Sequence, residues 1–165
     1  MTSRVGLGFD AHRFEPGRPL VLCGVVVEYE FGLRGHSDAD VATHAVMDAI
    51  LGAAHLGDIG ELFPDDDPRY AGATSVDLLR QVVALAAAAG WGVGNVDVVL
   101  VLQDPRLAPY REEMVASLAA ALGVGPDAVG VKATTTEMMG FTGRGEGVAA
   151  LAVCLLVRDE AEDGG

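Results

Sequence analysis

Basic residues are scarce in this chain: 11 lysines and arginines stand against 24 aspartates and glutamates in 165 residues, a formal net charge of −13. That balance argues against nucleic acid as a partner, because binding a phosphate backbone needs a basic surface. It also poses a problem for any anionic substrate, and bound metal cations are the simplest local answer. Aromatic residues make up only 5 % of a chain that is half hydrophobic, so the expected core is built from Val, Leu, Ala and Ile. Apolar runs are short: the longest, such as 82–89 and 148–157, fall well below the ~20 residues needed to span a bilayer. Cysteine is nearly absent. Cys23 and Cys154 each lie inside an apolar run and are expected to be buried, reduced thiols, not a disulfide. No charged and apolar leader opens the chain, so a soluble, cytoplasmic protein is expected.

The length fits one domain with a real core. That domain is expected over residues 1–158, followed by an acidic, disordered tail over 159–165. Residues 4–9 read as a short strand that delivers Asp10 and His12 at its end. A β-hairpin is predicted from 20–23 and 25–30, turned at Gly24. Ser37 is the expected N-cap of a helix over 38–56, with Asp38 and Asp40 in its positive first turn. Residues 57–69 are too rich in Gly, Pro and Asp for regular structure. Ser75 is expected to cap a helix over 76–89 that stops at Gly90. A strand over 93–102, a turn over 103–109 and a helix over 110–122 follow, and strands over 128–133 and 147–157 flank a loop over 134–146. This order predicts an α/β fold, an α+β sandwich with helices packed on one face of a mixed sheet.

Four motifs could carry chemistry. Asp10 and His12 are two residues apart, so on a strand they share a face; Asp40, His44 and Asp48 recur every four residues and on a helix form one stripe. Stripe against strand gives an Asp/His/His site with a free position, which suits a catalytic divalent metal such as zinc. Taken singly, the same residues could cap a turn or satisfy a helix, and spacing leaves both readings open. The second motif is Lys132-Ala-Thr-Thr-Thr-Glu137 running into Gly140-Phe-Thr-Gly-Arg-Gly-Glu-Gly147. Its hydroxyls, loop amides and Arg144 could hold phosphate and Glu137 a magnesium ion, or it could be a strand end entering a hairpin loop. In the third motif, Asp58 and Asp65 could bind a polyol, although turn chemistry accounts for them more simply. The turn from Gln103 to Pro109 says little alone. Combined, a metal site, a Thr/Gly phosphate loop and a second carboxylate describe a phosphoryl-transfer centre.

These motifs together closely resemble the 2-C-methyl-D-erythritol 2,4-cyclodiphosphate synthases of non-mevalonate isoprenoid synthesis. The resemblance rests on Gly8-Phe-Asp-Ala-His12, Gly35-His-Ser-Asp-Ala-Asp40 with His44, Leu56-Gly-Asp-Ile-Gly60, Leu62-Phe-Pro-Asp65 and the 132–147 stretch, and it covers residues 4–157. It implies a lyase that converts 4-diphosphocytidyl-2-C-methyl-D-erythritol 2-phosphate to the cyclic diphosphate with release of CMP, without a side-chain nucleophile. It implies zinc, or a similar divalent cation, on Asp10, His12 and His44, and magnesium or manganese held by Glu137 and the substrate diphosphate. His36 and Ser37 are implied at the phosphates and Asp58, Gly60 and Asp65 at the methylerythritol. Leu102, Pro105, Arg106 and Ala108 are implied around cytosine, and Thr134 and Thr135 beside the cytidine diphosphate. A homotrimer with active sites between subunits is implied, with Phe141 and Arg144 facing a central cavity that takes isoprenoid diphosphates in relatives. Two departures stand out: Met138 replaces a frequent lysine or small residue, and Arg106 a frequent lysine. A zinc phosphoesterase and a non-catalytic trimeric binding module remain as competing readings.

Overall fold

The computed structural model of the protein describes residues 1–64 and 66–158; Asp65 and the acidic 159–165 segment lie outside the described residues. In chain order the elements are β1 (Thr2–Pro16), β2 (Leu20–Leu22), β3 (Val25–Val27), β4 (Phe31–Leu33), α1 (Val41–Ala54), α2 (Ile59–Leu62), α3 (Ser75–Ala88), β5 (Gly92–Val101), α4 (Arg111–Leu122), β6 (Val129–Thr134), α5 (Gly140–Gly143) and β7 (Gly147–Arg158). Five strands form one sheet in the order β4-β1-β7-β5-β6, and β2 and β3 form a separate hairpin. Only the β5–β6 pair is parallel, so the sheet is mixed as expected.

Side-chain alternation divides the sheet into two unlike faces. Gly6, Gly8, Val96, Val98, Leu100, Ala150, Ala152, Cys154 and Leu156 point to the buried face, under α1 and its neighbouring helices. On the opposite face Val5, Leu7 and Phe9 are 70 %, 67 % and 58 % exposed, and Leu151 and Val153 continue the apolar band. The helices therefore cover one face, as the sequence predicts. Burial raises both thiols, Cys154 to about 11, which keeps them as inert, reduced core residues.

Helix α1 sits unusually low on β1 because glycine lies beneath it. A Cβ at Gly6 would fall 1.8 Å from the Ala49 carbonyl oxygen, and one at Gly8 1.9 Å from that of Ala45. No side chain fits there, so the alternating glycines of β1 set the distance between the helix and the strand.

Several local expectations are corrected. β1 does not end at Phe9: β7 gives it antiparallel partners from Thr2 to Arg13, so Asp10 and His12 lie within the ladder, opposite Ala150 and Val148. Asp40, not Ser37, caps α1, and the helix begins at Val41 with no acidic residue in its first turn. The fully buried Asp40 carboxylate accepts from the Cys23, Gly24 and Thr43 amides and the Thr43 hydroxyl. Those four donors turn it toward the β2–β3 turn and out of the stripe with His44 and Asp48. Thr74, not Ser75, caps α3. The 57–69 stretch is not wholly irregular, since Asp58 caps the single turn of α2 through the Glu61 amide. The hairpin turns at Cys23 and Gly24, both at positive φ (53° and 75°), as a type I′ turn requires.

Candidate active site

Three polar donors converge where α1 crosses β1. His12 Nε2 lies 2.9 Å and His44 Nδ1 3.1 Å from Asp10 Oδ2, and the two ring nitrogens are 3.4 Å apart. One ligand atom from each residue fits within a 4.8 Å span. Donors on a tetrahedral zinc, each about 2.1 Å from the ion, stand about 3.4 Å apart, so this set has the chemistry and spacing for such a cation. The sequence pairing of strand and helix residues is thus realised, with the metal identity left to the donor set: one carboxylate and two imidazoles.

Each donor is held from behind. The Ala11 amide donates to Asp10 Oδ1 at 2.8 Å. His12 Nδ1 lies 2.7 Å from the Arg34 carbonyl oxygen, which only accepts, so Nδ1 carries the proton and Nε2 turns its lone pair to the cluster. The β1–β4 pairing extends to the Arg34 amide, which donates to the Arg13 carbonyl, and so brings that carbonyl into place. Burial opposes the charge on Asp10, yet hydrogen bonds and positive charge from His12 and His44, when both rings are protonated, outweigh it and hold the carboxyl well below the usual carboxylate range; a divalent cation would take the place of those protons.

A cavity of about 240 Å³ opens from these donors, lined by His36, Ser37, Asp48, Ile59, Gly60 and Phe63 as well. The loop carrying His36 is clamped by Arg18, whose guanidinium donates to the Gly35 and Ser37 carbonyls at 2.6 Å each. Asp48, one turn beyond His44 on α1, accepts the Ile59 amide at 3.0 Å and so ties the 58–60 segment to the helix. Asp58 itself is exposed and occupied as the cap of α2.

A second cavity, about 210 Å³, lies at the C-terminal ends of β5 and β6. Leu102, Pro105, Arg106, Ala108, Thr134 and Thr135 line it, as do Gln103, Leu107, Arg111 and Ala133. The Asp104–Pro105 peptide is cis, which shapes the turn along one wall. Glu137 is exposed, outside the Asp10/His12/His44 cluster, in the left-handed region together with Met138. Phe141 lines a third cavity with Ala11, His12, Arg13 and Glu146, and Arg144 pairs with Glu146 at 3.1 Å. Of the expected site residues, the structure brings Asp10, His12, His36, Ser37, His44 and Gly60 to one cavity and the 102–108 and 134–135 residues to another. Arg18, Asp38, Asp48 and Ser75 are supporting residues that the motif reading did not assign to the site. Their partners are remote in sequence, and only the four-residue spacing of Asp48 from His44 gave a signal.

A mixed sheet backed by helices, with a carboxylate and two imidazoles converging on an open cavity, defines an α/β protein with a candidate divalent-cation centre. The model of the YgbB family matches residues 3–157, and the chain belongs to that family. It is 57 % identical over 93 % of its length to a 2-C-methyl-D-erythritol 2,4-cyclodiphosphate synthase of Desulforamulus reducens, covering 98 % of that protein. It is 61 % identical, again over 93 %, to a bifunctional enzyme IspD/IspF of Anaeromyxobacter dehalogenans, but spans only 39 % of that longer protein. Among solved structures, a 2C-methyl-D-erythritol-2,4-cyclodiphosphate synthase in its CDP-bound form matches with a TM-score of 0.86 and 42 % identity, over 93 % of this chain and all of that one.

Proposed function

We propose that the protein is a cyclodiphosphate synthase, converting 4-diphosphocytidyl-2-C-methyl-D-erythritol 2-phosphate to 2-C-methyl-D-erythritol 2,4-cyclodiphosphate and CMP in isoprenoid precursor synthesis. The observation that carries this reading is the Asp10/His12/His44 cluster opening onto His36, Ser37 and Gly60, in a chain so similar to named synthases. The reaction is an intramolecular phosphoryl transfer: the 2-phosphate oxygen bonds to the β-phosphorus, and the bond to the CMP oxygen breaks. The substrate supplies nucleophile and leaving group, so the protein's task is to hold them in line and balance their charge.

Asp10, His12 and His44 would hold a zinc ion, and Glu137 with the substrate diphosphate would hold magnesium or manganese, supplying Lewis-acid charge to the β-phosphate. His36 and Ser37 contact the phosphates from the clamped loop. Asp58, Gly60 and Asp65 bind the methylerythritol hydroxyls. Leu102, Pro105, Arg106 and Ala108 receive cytosine, with Thr134 and Thr135 beside the cytidine diphosphate. The second cavity suits that role: small apolar side chains and turn backbone give a flat ring both surface and edge partners.

The assembly is a homotrimer with each active site shared between subunits. Two features support it. The metal-side and nucleotide-side cavities share no lining residue within one chain, and the exposed sheet face carries an apolar band of the kind that partner subunits cover. Phe141 and Arg144 then face the central cavity. Among the described residues no helix is long and apolar enough to cross a membrane, and the working compartment is the cytoplasm.

Purified protein incubated with the cytidylyl substrate and magnesium should release CMP and the cyclic product in equal amounts. Release of inorganic phosphate would identify a phosphoesterase instead, and no turnover with bound nucleotide a binding module.

A further inference from the structure

Behind His44 lies a hydrogen-bond chain that neither the fold nor the motifs announce. Ser75, the first residue of α3, is completely buried. Its hydroxyl donates to Asp38 Oδ1 and lies 2.9 Å from His44 Nε2. The same Asp38 carboxylate accepts the Ser75 amide at 3.0 Å and the Asp40 amide at 3.2 Å. The Ser37 hydroxyl is the other oxygen near His44 Nε2, at a longer 3.4 Å. The Asp38 amide donates to the Ala73 carbonyl and the Gly72 amide to the His36 carbonyl, so the 36–38 loop is pinned to the approach of α3.

Proton accounting fixes the direction of this chain. A serine hydroxyl has one hydrogen, and Asp38, a carboxylate, can only accept it. Toward His44 the Ser75 oxygen must therefore accept, so the hydrogen of that contact sits on Nε2. In the neutral, metal-ligating ring the lone pair of His44 is then on Nδ1, the atom 3.1 Å from Asp10 Oδ2 and 3.4 Å from His12 Nε2.

We infer that Ser75 and Asp38 are positioning residues for the metal centre: a carboxylate–hydroxyl–imidazole relay that fixes the His44 tautomer and ring orientation and strengthens Nδ1 as a ligand. The inference rests on the reading of Asp10, His12 and His44 as a cation site. Metal-bound histidines commonly donate their second ring N–H to a carboxylate or carbonyl, and losing that partner typically weakens metal affinity about 10–100-fold. Here the carboxylate acts at one remove, through a hydroxyl supplied by another helix. The Arg34 carbonyl does the same task for His12 directly, so the two imidazoles are oriented by unlike partners.

The test compares zinc affinity, by competition with a chromophoric chelator, in wild type, Ser75→Ala, Asp38→Asn and Thr74→Ala. Thr74 caps α3 without touching His44, so its loss reports on helix stability alone. Ser75→Ala should weaken zinc binding about 10–100-fold, and Asp38→Asn should weaken it less. Thr74→Ala should lower the melting temperature and leave zinc affinity unchanged. Zinc binding by Ser75→Ala as tight as wild type, or an equal loss in Thr74→Ala, would overturn the relay. Nitrogen-15 NMR of the metal-free wild type separates failure of the relay from failure of the metal reading. The Nε2–H tautomer at His44 is the expected result; an Nδ1–H tautomer removes the relay even if zinc binds, whereas a wild type with the right tautomer and no zinc affinity removes the metal role on which it rests.

Discussion

The two ends of the candidate site are built on opposite plans. At the proposed metal end half-buried side chains converge, and each is secured from behind: His12 by the Arg34 carbonyl just past β4, His44 by Ser75 of α3, and Asp10 by the Ala11 amide of its own strand. At the proposed nucleotide end the wall is the 102–108 turn with Arg111, Ala133, Thr134 and Thr135, and both threonines are exposed. The first is a site fixed before anything binds. The second is an outline that a ligand or a neighbouring subunit completes. Charge follows the same division, with a carboxylate and two imidazoles converging at one end and two arginines, Arg106 and Arg111, as the ionisable groups lining the other.

Perturbing the metal end should be all-or-none, and perturbing the nucleotide end graded. His44→Ala is expected to abolish zinc retention and turnover while the fold survives, with circular dichroism unchanged; full zinc occupancy by elemental analysis would break the contrast. Gly8→Ala comes next, since its Cβ would fall 1.9 Å from the Ala45 carbonyl. Lifting α1 should cost about 3 kcal/mol in urea unfolding and weaken zinc binding with it. If zinc affinity held while stability fell, the glycine seat would not be what sets the ligand distance. Arg106→Ala should act only at the nucleotide end, raising KM about 5–10-fold through one lost polar contact and leaving zinc content intact. A fall in kcat with unchanged KM would contradict that.

The smallest effect concerns Asp48, which lines the metal-side cavity and ties the 58–60 segment to α1. Burial is the main influence that raises its carboxyl above the usual range, with Asp58 and Asp10 adding to it against the Ile59 amide and His44. A raised carboxyl favours the folded state most below its unfolded value, about 3.9, and that contribution is lost as pH rises through the folded value. Asp48→Asn keeps an acceptor for Ile59 and removes the charge. Its stability relative to wild type should therefore grow from pH 4 to pH 7, by less than about 1 kcal/mol for a partly solvated group. Parallel stability curves would show that burial of this charge costs nothing.

The residues that touch one another through short sequence spacing were legible beforehand. Period two gives Asp10 and His12 a shared face, and the strands expected over 93–102 and 147–157 match β5 and β7 closely because Val-rich runs bounded by glycine have few alternatives. What escaped depends on partners far along the chain. Residues 10–16 carry polar and charged groups that look like a loop until β7 pairs with them as far as Arg13 and β4 pairs with Phe14–Pro16. Ser37, Asp38, Asp40, Thr74 and Ser75 are all good caps by residue type. Only the fold decides that Asp40 and Thr74 cap, leaving Asp38 and Ser75 free to meet at His44. The reading of 132–147 gave no measure of its separation from the Asp10/His12/His44 cluster, since no spacing rule places one cavity relative to another.

The pairing of β1 with β7 has a consequence for how the protein comes into being. The strand that carries Asp10 and His12 is separated from its main partner, Gly147–Arg158, by most of the domain. Until that segment leaves the ribosome, Thr2–Arg13 has an unpaired edge and an apolar side formed by Val5, Leu7 and Phe9, the kind of stretch that invites wrong pairing. Closing so long a loop is slow. The strand that carries Asp10 and His12 is therefore fully seated only once the far end of the domain has folded back onto it.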